Sequence, residues 1–216
     1  MASRSTTRRA TAGPGRPRLV EQRRRGATAR DEILDASAEL FTLHGYTGTS
    51  TRMIADAVGI RQASMYHHFK TKDDILAELL EATVAAPLEK GRELLAAQGP
   101  ALERLLDLAR FDVTQLAQQR WNLGALYLLP EVADERFAEF RRARIELEDT
   151  YEALAAEALG DEDDKRTLLP FRLVESVIMM RADEQRGELG DHTAAGLVNT
   201  IVGAIRMLLE HRPAAT

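Results

Sequence analysis

The chain has 216 residues, 44% hydrophobic and 29% charged, enough for one large domain or a small domain joined to a larger one. No window approaches ~18 uninterrupted apolar residues, which excludes a membrane-spanning helix, and the lack of cysteine excludes disulfides, thiolate zinc sites and cysteine nucleophiles. The net charge of -5 is unevenly spread: the first 30 residues hold nine Arg against one acid, Glu21, and the rest is acidic, which points to a polyanionic partner for one end only.

Residues 1–27 read as a flexible Arg-rich arm. They are Arg, Ser, Thr, Ala, Gly and Pro with almost nothing to bury, so ordering them would cost backbone entropy without a core in return. An organelle transit peptide has a similar composition but forms an amphipathic helix, which Gly13-Pro14-Gly15-Arg16-Pro17-Arg18 cannot continue. No apolar stretch follows, as a secretory signal would need. A thin Gly-Arg-Pro-Arg strand suits a minor groove, whose negative potential attracts Arg.

From Thr28 onward the apolar residues recur at helical period and no strand alternation is convincing, so the fold class is all-α with about nine helices. The first helix opens at Thr28, with Asp31 completing a capping box, carries a stripe of Ile33, Ser37, Leu40, Phe41 and His44, and closes at Gly45. Tyr46 to Ser50 is a turn, Thr51 to Val58 a short helix, Gly59 a break, and Gln62 to Phe69 a further helix. Thr71 with Asp74 caps the next, whose stripe is Ile75, Leu76, Leu79, Leu80, Thr83 and Val84.

Beyond Gly91 the helices lengthen. One carries Leu102, Leu105, Leu106, Ala109, Val113, Leu116 and Ala117; a kinked stretch follows from Trp121 to Pro130. Phe137, Phe140, Leu147, Tyr151, Leu154 and Ala158 belong to a long helix ending near Gly160. Leu168 to Met180 is apolar almost all round, and the last helix shows Leu197, Val198, Ile201, Val202, Ile205, Leu208 and Leu209. A helix apolar on more than one face needs cover on more than one side. Two such helices from each of two chains would form a four-helix dimer interface, unless both are central in a monomer.

Residues 51–69, TRMIADAVGIRQASMYHHF, have the form of a helix-turn-helix. Ile54, Ala55, Val58, Ile60 and Met65 lock two short helices at a steep angle, and Gly59 supplies the positive φ of the turn. Gln62, Ala63, Ser64, Tyr66 and His67 then face outward, where the second helix can enter a major groove. Gln reads adenine bidentately, Ser serves either strand, and Ala63 suits a thymine methyl. Thr51, Arg52, Tyr66 and Lys72 are placed for phosphates, which set register without reading sequence.

The segments ILDASAELFTLHGY and TSTRMIADAVGIRQASMYHHFKTKDDIL resemble the DNA-binding domain of TetR-family transcriptional repressors. The resemblance implies a homodimer with a three-helix reader over residues 28–75 and a larger effector-response and dimerisation domain over 76–216. It also implies DNA contacts at Gln62, Ala63, Ser64, Tyr66 and His67, with phosphates at Thr51, Arg52 and Lys72. The arm's GRPR, WNLGALYLLPEV and PFRLVESVIMMR are similar to stretches of the AmtR-type nitrogen-control repressors of actinobacteria. That similarity implies minor-groove contacts from Arg16 and Arg18 and release by a modified PII-type signalling protein. Two readers one helical turn apart call for a palindromic operator, and a DNA-binding repressor is expected in the bacterial cytoplasm. A small-molecule ligand in the C-terminal domain is the alternative that the wider family implies.

Other constellations carry no chemistry. His67 and His68 diverge by about 100° on a helix and cannot share a metal, so one should face DNA and the other pack at the helix end. His44, His192 and His211 are solitary. Gly13-Pro14-Gly15 lacks the Lys of a phosphate loop, and Asp161-Glu162-Asp163-Asp164 has Lys165 at a ligand position and no closing Glu. Glu131, Asp134 and Glu135 show no sign of catalytic tuning, and no serine-histidine-acid set exists, so neither an enzyme nor a cofactor is expected. Trp121, Asn122 and Tyr127, with Phe111 and Phe171, line an effector cavity or fill the core; Trp121 and Asn122 are the first effector candidates. Arg141, Arg142 and Arg144 read as a solvated helix face.

Overall fold

The computed structural model describes residues 24–190 and 192–211. The arm, and with it Arg16 and Arg18, lies outside the described residues except for positions 24–27. Among the described residues every regular element is helical: α1 (Ala29–His44), α2 (Thr51–Val58), α3 (Gln62–Met65), α4 (Lys72–Ala96), α5 (Ala101–Gln118), α6 (Ala138–Leu159), α7 (Leu169–Arg186) and α8 (Ala194–Glu210). Short 3-10 helices at Leu123–Leu128, Pro130–Ala133 and Glu135–Phe137 form a run between α5 and α6, and another occupies Lys165–Leu168. No helix among the described residues is long and apolar enough to cross a membrane.

The caps follow the local sequence. Thr28 accepts the Asp31 N–H while the Asp31 carboxylate accepts the Thr28 N–H, and Thr71 and Asp74 repeat the exchange at α4. Ser50 caps α2, and Gly59 ends it at φ 78°, ψ 30°, with its N–H on the carbonyls of Ala55 and Asp56. Any side chain there would be strained.

Several expectations are corrected. The second reader helix is α-helical only to Met65 rather than Phe69. The N–H groups of His67 and His68 reach back just three residues, to Ser64 and Met65, the tighter winding common at helix ends. His44 is exposed instead of joining the α1 stripe. The lengthening expected beyond Gly91 begins earlier, for α4 runs through Pro87 and Gly91 to Ala96. A Cβ at Gly91 would stand 2.8 Å from Thr150 Cγ2, so the glycine permits close approach of α4 and α6.

Arg142 is exposed as expected, but Arg144 is not part of a solvated face. Its Nε and Nη2 donate to the Glu175 carboxylate of α7 at 2.9 and 2.6 Å. Arg141 donates to the carbonyls of Val132 and Asp134 at 2.7 and 2.5 Å. The packing of α6 on α7 and on the 3-10 run turns these two guanidinium groups inward.

The core has two centres. In the larger domain α5 packs on α4, α6, α7 and α8, and Leu105, Leu106, Leu108, Ala109 and Val113 are wholly buried. Each such leucine contributes about 1.5–3 kcal/mol. Around the reader, Ile33, Phe41, Ile54, Met65, Phe69, Leu76 and Leu80 cluster with Leu126, Val132, Phe137 and Phe140. The 3-10 run and the start of α6 therefore complete the reader's core. The division expected at 75/76 falls inside α4, which contributes to both centres.

Candidate nucleic-acid interface

The α2–α3 pair is held from within. Ile54, Ala55 and Val58 are buried from α2, while Met65 and Phe69 anchor the α3 segment, at 0% and 3% exposure. With those two turned inward, Gln62, Ala63, Ser64, Tyr66, His67 and His68 all face solvent. His68 is exposed rather than packed, and no group of metal-ligating side chains forms among the described residues. Arg30 supports the segment from behind: its guanidinium lies 4.1 Å from the Phe69 ring centroid and donates to the His68 carbonyl at 2.9 Å. Sequence reasoning missed Arg30, because only the fold brings α1 under the end of α3.

The expected DNA-contacting residues differ in their surroundings. Arg52 is 82% exposed, its guanidinium 3.8 Å from the Asp56 carboxylate. Thr51 is half-buried; its hydroxyl accepts the Gln62 Nε2–H at 2.8 Å and lies 3.3 Å from the Tyr66 hydroxyl. Lys72 is turned inward, with its ammonium donating to the carbonyls of Tyr46 and Thr49 at 2.7 and 2.8 Å. It also sits 4.0 Å from the Tyr46 ring centroid, and burial lowers its pKa. Lys72 thus pins the turn that precedes α2. Arg24 pairs with Glu39 and donates to the Ala57 carbonyl at 3.3 Å, which holds this residue against α1 and α2.

Polar contacts join the reader to the larger domain. Asp73 accepts a hydrogen bond from the Tyr46 hydroxyl and an ion pair from Arg136. Thr47 donates to Glu131 at 3.2 Å, and Arg120 reaches Asp35 at 3.2 Å. Burial first, then the Glu131 charge, push the Tyr46 hydroxyl up to about 12.

The three effector-region candidates do not share one cavity. Asn122 is 2% exposed and its Nδ2 donates to the Ile178 carbonyl at 2.8 Å. Trp121 packs against the reader's core under Arg120, with its indole nitrogen buried and without a hydrogen-bond partner among the described residues. Tyr127 donates to the Thr83 hydroxyl at 2.6 Å and lines two spaces. One is a narrow cleft of about 10 Å³ beside Asp112, room for at most a single water. The other is a surface groove of about 700 Å³ between the 3-10 run, α6 and α7, where the exposed side chains of Leu128, Ile145 and Met179 meet.

Asp112 escaped notice in the sequence. It is a 4% exposed carboxyl on α5 that accepts the Tyr151 hydroxyl at 3.2 Å. Burial raises it to about 7; the Tyr151 bond opposes the rise and the Glu175 charge adds to it.

Residues 33–79 match the family model for bacterial regulatory proteins of the tetR family. The chain is 32% identical over 140 residues to the HTH-type transcriptional repressor KstR2 of Mycolicibacterium smegmatis, covering 51% of this chain and 68% of that one. KstR2 of Rhodococcus jostii is 42% identical over 67 residues, 31% of this chain and 33% of that protein. The crystal structure of Mycobacterium smegmatis AmtR superposes with a TM-score of 0.80 at 52% identity, covering 89% of this chain and 92% of that one. The chain therefore belongs to the TetR family, as a DNA-binding transcriptional repressor and not an enzyme.

Proposed function

We propose that the protein represses nitrogen-metabolism genes in the bacterial cytoplasm as a homodimer on a palindromic operator. The residues 28–75 form the reader and 76–216 the response and dimerisation part. Gln62, Ala63, Ser64, Tyr66 and His67 enter the major groove, Arg52 lies toward the phosphates, and Arg16 and Arg18 take the adjacent minor groove, while the inward bonds of Lys72 take it out of the expected phosphate set. The observation that carries this reading is the solvent-facing row from Gln62 to His67, mounted on the buried Met65 and Phe69. Two such rows must sit about 34–36 Å apart, or a multiple, to meet successive grooves.

Dimerisation through α7 and α8 is supported by apolar side chains without cover. Met207 is 70% and Met179 53% exposed, and a Cβ at Gly203 of α8 would meet nothing within 4 Å among the described residues. A helix exposing a methionine beside an unpacked glycine suits a close helix–helix crossing.

Release by a PII-type protein is favoured by the likeness to AmtR at 52% identity. The 3-10 run transmits the signal: it walls the surface groove on one side and supplies Leu126, Val132 and Phe137 to the reader's core on the other. An effector that prefers a displaced run lowers DNA affinity through differential binding to two states. A second reading, release by a small ligand, is favoured by the groove itself, whose 700 Å³ is ligand-sized. Pull-downs with the intact chain from cells under nitrogen limitation and nitrogen excess test the pair. Recovery of a PII-like protein that frees the DNA supports the first reading, and none under either condition overturns it. Binding to shuffled duplex as strong as to an inverted repeat would overturn both.

A further inference from the structure

We infer that Thr51 is a positioning residue that aims the Gln62 amide at its base, instead of a phosphate ligand; the inference rests on the proposed base-reading role of Gln62. Thr51 opens α2 and Gln62 opens α3, so neither side chain is placed by its own helix alone. Across the turn the Gln62 Nε2–H donates to Thr51 Oγ1 at 2.8 Å, and Tyr66 Oη stands 3.3 Å from the same oxygen. A hydroxyl has one proton and two lone pairs. Accepting from Gln62 leaves Thr51 its proton for Tyr66, or a second lone pair for the Tyr66 proton. Either way its oxygen is engaged by two side chains of the reading face.

The stoichiometry of the amide is as telling. Gln62 has two N–H donors and one carbonyl oxygen. One N–H is held by Thr51, which leaves one donor and the acceptor, the pair that an adenine edge requires. A glutamine side chain is costly to order, so anchoring it before DNA arrives lowers the cost of forming the base contact. In the arrangement Thr51 Oγ1 donates toward Tyr66, the tyrosine proton is free for a phosphate oxygen. Thr51 then links a register-setting contact to a base-reading one, and the chain of bonds polarises each member.

The test uses the full-length protein and a consensus duplex selected from a randomised library with the wild type. Affinities are measured for that duplex and for its single base-pair variants, with wild type, Gln62→Ala, Thr51→Val and Thr51→Ser. Thr51→Val keeps the branched shape and removes the hydroxyl; Thr51→Ser keeps the hydroxyl and controls for folding. Expected is a loss of discrimination in Thr51→Val of about three- to tenfold, the range for one net hydrogen bond, at the same base pair that Gln62→Ala relaxes. Thr51→Ser should restore it. A uniform loss across all duplexes in Thr51→Val, with discrimination intact, would make Thr51 a phosphate ligand and overturn the inference while leaving Gln62 its role. Undiminished discrimination in Gln62→Ala would overturn the base-reading role and the inference together.

Discussion

Replacing Asp112 by Asn should make the protein more stable at about pH 8 and less stable near pH 4. Asp112 lies within the larger domain's core with the Tyr151 hydroxyl on its carboxylate, and burial lifts it from 3.8 to about 7. The native state therefore holds a proton that the unfolded chain has released between about pH 4 and pH 7. Wild-type stability must fall as pH rises through that window and level off above it. Three decades of proton affinity at about 1.4 kcal/mol each set an upper bound of roughly 4 kcal/mol. Asn cannot ionise and its oxygen still accepts from Tyr151, but its amide protons gain no assured acceptor, at a cost of about 1–3 kcal/mol. The variant should thus lose about 1–3 kcal/mol where the wild type is neutral and recover up to roughly 4 kcal/mol of relative stability above pH 7. Urea unfolding of both proteins at one fixed concentration, across that pH range, gives the difference directly, and other titrating groups cancel. A variant-minus-wild-type difference that does not change with pH would refute the reasoning.

Gln62→Ala should relax preference at one base pair per half-site by about 1–3 kcal/mol, read from competition between the consensus duplex and its point variants; equal weakening on random DNA would contradict the base contact. Removing residues 1–23, which hold six Arg, should weaken binding and flatten log affinity against log salt by about 0.9 for each phosphate that the arm no longer neutralises. An unchanged slope would take the arm out of the interface. Gly203→Ala should add about 1 kcal/mol of helix stability, since a Cβ there meets nothing within 4 Å among the described residues, whereas the bulkier Gly203→Leu should weaken a dimer that crosses at α8. Sedimentation over a range of concentrations measures this, and an undiminished dimer in Gly203→Leu would move the crossing elsewhere.

Local signals were legible wherever short-range chemistry decides the outcome. The Thr28–Asp31 and Thr71–Asp74 caps, the left-handed turn at Gly59 and the start of α2 after Ser50 all depend on residues within a few positions of one another. So does the outward row from Gln62 to His67, which follows once Met65 and Phe69 are taken as the anchors of its inner side. Periodicity located α5, α6 and α8, but it overran the end of α3, where the chain tightens to three-residue hydrogen bonds under the pull of Phe69 into the core. Nor could it show the use of Gly91, which serves a contact with Thr150 some 60 residues away.

The polar interior was illegible for a related reason. Arg144 looks like its exposed neighbour Arg142 along the chain, and nothing in the spacing distinguishes a guanidinium facing Glu175 from one facing water. Lys72 reads as a cation ready for phosphate, yet its ammonium closes two backbone carbonyls of the turn before α2. Asn122 and Trp121 drew notice as an unusual pair; one completes a bond to Ile178 and the other packs at the reader.

Composition and near-neighbour patterning alone determined that this protein is helical, that it carries a helix-turn-helix, and which side chains that motif turns outward. Capping, turn formation and amphipathic burial each involve residues a turn or two apart, and such contacts survive in a linear reading. Tertiary packing alone decided that α4 serves both cores, that the 3-10 run completes the reader, and that Asp112, Arg144 and Lys72 face inward. Those outcomes depend on which distant helix supplies a neighbour, and the energy of a charged group is set by that neighbour and its distance from water.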